Sequence, residues 1–128
     1  MGGGYSSLKS LGLRPGETVQ FQVRGACMQI LSNGDSVQVR RQRFYVPGDV
    51  VVVRRRDYWD AHRFLGYAPS VRGVVALTQA DRAVARDPAA PVSAIVGRAH
   101  CAVAARDRVA ALGRYVQALL RRMAEVVR

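Results

Sequence analysis

The hydrophobic pattern of this chain changes period once, and that change limits what the chain can fold into. Up to about residue 104 the apolar residues alternate with polar ones or run together in short stretches. Val19, Phe21 and Val23 stand against Gln20 and Gln22, Val37 and Val39 stand against Ser36, Gln38 and Arg40, and Val50 to Val53 is unbroken. Alternation marks a strand with one buried face, and a short run of β-branched residues marks a strand buried on both. From about Arg106 the spacing becomes three and four, through Val109, Leu112, Val116, Leu119, Leu120, Met123 and Val127. Those positions share one side of a helix, with Arg106, Arg114, Gln117, Arg121, Arg122 and Arg128 elsewhere. The expectation is a mainly β domain over residues 18–104, a flexible lead-in over 1–17 and a basic amphipathic helix over 105–128.

Within the β domain, further strands are expected over residues 61–68, 73–78 and 92–103, with Gly97 at a bulge or bend and Asp81 to Pro91 as a loop. Asn33-Gly34 and Pro47-Gly48 read as turns. The basic runs Arg40-Arg41-Gln42-Arg43 and Arg54-Arg55-Arg56 read as solvated, and Tyr58-Trp59 reads as a cap on the core. The helix has three available roles: packing on the sheet, lying in a membrane interface, or contacting a partner protein.

A chain of 128 residues is one domain with one core. No apolar run approaches the roughly 18 residues that span a bilayer, and Met1 to Ser10 lacks the apolar segment of a secretory signal. A cytoplasmic location is therefore expected, free or peripheral to a membrane. The net charge of +11 rests on arginine, since Lys9 is the only lysine. Such a field favours acidic partners. The arginines are scattered, however, and no helix-turn-helix, zinc-finger or aromatic RNA motif is present, so no nucleic acid is expected. Cys27 and Cys101 form no disulfide framework, and with His62 and His100 they lack metal-binding spacing. No metal or cofactor is expected.

Cys27 lies just beyond an expected strand, beside Gly25 and ahead of Asn33-Gly34. Such a thiol taken alone reads first as a small buried side chain, and it also suits a nucleophile. Arginine stays protonated and Lys9 lies upstream of Cys27, so any catalytic base has to be a histidine.

Six short segments, taken together, resemble the signal peptidase family and its self-cleaving repressor relatives. Gly25-Ala26-Cys27-Met28 resembles the G-x-S-M nucleophile block, with Cys27 where the serine stands and Ile30 in place of the motif's proline. Gly34-Asp35 and Pro47-Gly48-Asp49-Val50-Val51-Val52 resemble its two Gly-Asp segments. Ala61-His62-Arg63 resembles the base-bearing strand of the endoplasmic reticulum and archaeal type. Leu77-Thr78-Gln79-Ala80-Asp81, with Asp87 beyond, resembles its T-K-G-D-N-N segment and later aspartate, and Ile95-Val96-Gly97-Arg98 resembles its closing strand.

The resemblance implies a coiled β-sheet domain of the signal-peptidase and repressor-protease kind, and a cysteine endopeptidase activity. It gives Cys27 the attack, His62 the proton transfer and Asp87 the orientation of the imidazole. Asp81 becomes the reserve for the third role, and Gly25, Ala26 and Met28 flank the nucleophile. The implied substrate is an extended precursor or leader peptide with small residues at the cut, acidic if it matches the charge. Two other classes remain open: a catalytically idle β module that holds a peptide, and an arginine-rich protein that binds nucleic acid or an anionic membrane.

Overall fold

The computed structural model describes residues 14–22, 36–56 and 58–127. The strands are β1 (Thr18–Gln22), β2 (Ser36–Arg40), β3 (Val50–Arg54), β4 (Trp59–Ser70), β5 (Gly73–Gln79), β6 (Ala90–Pro91) and β7 (Ile95–Ala99), and they are followed by helix α1 (Ala105–Val127). The seven strands make one curled antiparallel sheet in the order β1-β2-β7-β3-β4-β5-β6. A mainly β domain with a C-terminal helix is therefore what the chain forms. Most of the expected lead-in, the end of the first expected strand, and Gly25, Ala26, Cys27 and Met28 lie outside the described residues.

Strand alternation sorts the side chains onto two faces. One face carries Val37, Val39, Val50, Val52, Val96 and Ala99, joined by Trp59, Ala61 and the half-buried Cys101. The other carries Val51, Val53, Phe64, Ala76 and Ile95 with Tyr45 and Tyr67. Central β3 contributes to both, and Val50 to Val53 are all buried. This is why β3 reads as a continuous apolar run rather than an alternating one.

Two bulges curl the sheet. Opposite β5, Phe64 pairs with Thr78 and Gly66 with Leu77, leaving Leu65 as the extra residue. Opposite β3, Gly97 pairs with Val52 and Ile95 with Val53, leaving Val96 extra. In each case an apolar residue is followed by glycine, and both point to the same face. The glycine has no alternative: a Cβ on Gly66 would overlap the ring of Tyr115, and one on Gly97 would overlap the Arg40 backbone. The expected bend at Gly97 is thus a bulge. The expected strand over 92–103 is shorter than its apolar pattern suggests, because Val92–Ala94 forms a 3-10 turn and pairing stops at Ala99.

Helix α1 lies against β4 and β5 on the face of Leu77, through Ala111, Tyr115, Ala118 and Leu119 over Leu65, Ala68, Leu77 and Val75. Three polar side chains set its direction. At its start Arg108 donates to Pro47 O and to Asp49 Oδ1 at 3.0 Å. In the middle the Tyr115 hydroxyl donates to Tyr67 O, and further on Arg122 donates to Pro69 O at 2.9 Å. The helix therefore runs along the β4–β5 hairpin toward its tip.

Candidate functional site

His62 sits near the start of β4, paired with Val51 of β3. Asp60 precedes it by two positions and points the same way, as does Thr78, which pairs with Phe64 across to β5. The chain after β5 turns back, and the Asp87 N–H donates to Thr78 O at 2.9 Å. That bond places the Asp87 carboxylate over the strand pair. Its Oδ2 lies 2.7 Å from His62 Nδ1 and accepts from the Thr78 hydroxyl at 2.7 Å. Of the residues expected to act together, His62 and Asp87 are in direct contact. Cys27 falls outside the described residues.

Asp81 is placed differently. Both of its carboxylate oxygens accept from Arg63, at 3.1 Å from Nε and 2.8 Å from Nη2, and Arg63 Nη1 donates to Gly48 O at 2.8 Å. Arg63 follows His62 directly, so it points to the other face of β4. Asp81, the reserve candidate, thus serves a nearly buried arginine, while Asp87 takes the histidine.

Two members of the cluster escaped the sequence reading. Arg55, expected in solvent, turns inward with only 11% of its side chain exposed. Its Nε donates to Asp60 Oδ2 at 2.9 Å, Nη1 to Pro88 O at 2.9 Å and Nη2 to Thr78 Oγ1 at 3.2 Å, with Asp87 Oδ2 at 3.6 Å. Asp60 was not singled out, yet its Oδ1 lies 3.8 Å from His62 Nδ1. That oxygen is buried and has no hydrogen-bond partner among the described residues. A signal existed for both: Arg55, one residue past the end of β3, keeps the parity of Val51 and Val53, and the hairpin that pairs Arg54 with Trp59 sets Asp60 and His62 beside them.

The electrostatics follow from these contacts. Burial, the largest influence on His62, disfavours its charged form, but the Asp87 hydrogen bond and the charges of Asp60 and Asp87 overcome it despite Arg55, and the imidazole pKa is raised. Burial likewise works against ionised Asp87, but hydrogen bonds from His62 and Thr78 and the charges of His62 and Arg55 outweigh it, and its pKa is lowered. Each group favours the charge of the other.

Asp60, His62 and Asp87 each bring one ligand atom within 4.8 Å of the others. The Arg55 guanidinium is bonded to one of these carboxylates and lies 3.6 Å from the second. A dication would have to displace that fixed charge, so the set suits an imidazolium better than a metal ion. No protein-family model, no curated protein and no solved structure matches the chain.

Proposed function

We propose that the chain is a cysteine endopeptidase of signal-peptidase type, with Cys27 as nucleophile, His62 as base and Asp87 as the group that orients the base. The observation that carries this reading is the His62 Nδ1 to Asp87 Oδ2 bond at 2.7 Å, with Asp87 itself steadied by Thr78. A carboxylate at Nδ1 favours the tautomer that has its proton there, and the ring's lone pair then lies on Nε2. Nε2 is the atom that would take the thiol proton and return it to the leaving amine. A raised imidazole pKa suits a thiol better than a serine, because a thiolate beside an imidazolium is already an attacking pair near neutral pH. The substrate in this reading is an extended segment of a precursor or leader peptide, laid along the sheet and cut at small residues. An acidic segment would complement the net charge of +11.

A second reading is a peptide-binding β module without catalysis. It is favoured by Arg55, whose bonds to Asp60, Thr78 and Pro88 would serve equally as a clamp on the loop after β5. Alkylation of Cys27 as a function of pH, followed by mass spectrometry, separates the two. Cys101 is the internal control, since burial pushes its thiol pKa up. Under the peptidase reading Cys27 reacts well below pH ~8.5, the ordinary thiol value, and loses that advantage in His62→Ala. Two slow thiols, unchanged by the substitution, would leave the binding module.

A further inference from the structure

Helix α1 does more than cover the sheet. Val109, Leu112, Val116, Leu120 and Met123 are 70%, 50%, 48%, 59% and 63% exposed. At about 100° per residue these five fall within an arc of roughly 80°. The residues that pack on the sheet, Ala111, Tyr115, Ala118 and Leu119, centre roughly 100° away. The apolar arc of the helix is therefore wider than the part of it that packs on the described residues of the sheet. Arg106 borders the exposed stripe on the side away from the sheet, about 80° round from Val116, and is itself exposed. The helix's two acidic residues, Asp107 and Glu125, lie roughly 180° round from Val116. At the far end Arg122 holds Pro69, so the β4–β5 hairpin tip, with Val71 104% and Val74 56% exposed around Arg72, stands beside the helix's last turns.

A second copy of the helix is a poor occupant for this stripe. It would bring Arg106 of each copy toward the other, with the acidic residues of both turned away, so that no opposite charge would answer it. A surface of fixed negative charge with an apolar interior answers both parts of the pattern. No helix among the described residues is long and apolar enough to cross a membrane, and a narrow stripe bordered by arginine fits the headgroup boundary. We propose that α1 lays Val109, Leu112, Val116, Leu120 and Met123 into the surface of an anionic lipid bilayer, with Arg106 at the headgroup phosphates and the hairpin tip, around Arg72, as a second contact. The stripe and the His62 cluster belong to opposite faces of β4 and β5, so the proposal stands apart from the peptidase reading.

The test is sedimentation of the full chain with phosphatidylcholine vesicles, with and without phosphatidylserine, at several salt concentrations. The expected result is binding to the anionic vesicles that weakens with salt and is at least about tenfold weaker on neutral ones. Leu112→Ser with Leu120→Ser, and separately Arg106→Gln with Arg72→Gln, should each weaken binding by roughly tenfold or more. All four residues are exposed, and an unchanged circular dichroism spectrum would show each variant folded. Three results would overturn the proposal: no sedimentation with either vesicle, equal sedimentation with both, or a dimer in equilibrium ultracentrifugation that the Leu112/Leu120 variant dissolves.

Discussion

At the scale of single residues, the site is a small exchange of charge around one imidazole. His62 is drawn toward its cationic form by Asp87 and Asp60, and Arg55 opposes them. Histidine titration by NMR should report each contribution with its sign. Asp87→Asn removes both a hydrogen bond and a charge, so the His62 pKa should fall most in that variant. Asp60→Asn removes a charge 3.8 Å away and should lower it by less. Arg55→Gln removes the opposing charge and should raise it. A wild-type His62 pKa below the ordinary ~6.5 would contradict the whole arrangement. Part of this was legible beforehand. His62 and Asp87 could be matched to the family's order of blocks, whereas Arg55 looked like one more solvated arginine in a run of three. What separates it from Arg54 and Arg56 is strand parity, which is known only once the pairing of β3 with β4 is known. Asp60 was hidden for the same reason.

At the scale of elements, the chain uses its two loop aspartates for different work. Asp81 neutralises Arg63, whose side chain is 4% exposed, and Asp87 neutralises His62. Asp81→Asn leaves a buried guanidinium without its counter-charge and should cost about 3–5 kcal/mol in chemical denaturation. It should leave the His62 titration nearly unchanged, which Asp87→Asn will not. Helix docking depends on Gly66 in the same local way. Gly66→Ala forces a methyl group into the Tyr115 ring and should destabilise by about 1–3 kcal/mol. The helix and its boundary were plain from the change of period near residue 105, because a long periodic segment outvotes local noise. The short strands were harder. The apolar pattern over 92–103 suggested one strand, but backbone pairing spans only Ile95–Ala99, and periodicity carries no information about where partners run out.

At the scale of the whole molecule, two titrations set a pH window for the cluster's contribution to stability. The pKa of His62 is raised in the folded state, so its contribution is complete below the unfolded value of ~6.5 and is lost as pH rises through the folded value. The pKa of Asp87 is lowered, so its contribution is complete above ~3.9 and is lost as pH falls through its folded value. The melting-temperature gap between wild type and Asp87→Asn should therefore be widest between about pH 4 and 6.5 and should narrow on the alkaline side. A gap that grows steadily above pH 7 would contradict that linkage. The bulge in β4 has a different kind of consequence, one for genetic change. Leu65 is the one residue of that strand with no place in the pairing count, so β4 can be read as a regular strand carrying a single inserted residue. Deleting Leu65 would keep His62 and Asp60 on their face and Gly66 and Ala68 on theirs, at the cost of one core side chain. Deleting any residue from Ala61 to Arg63 would instead turn over the side chains on one side of the gap. The strand thus has a reading frame, and Leu65 is where it tolerates a change of length.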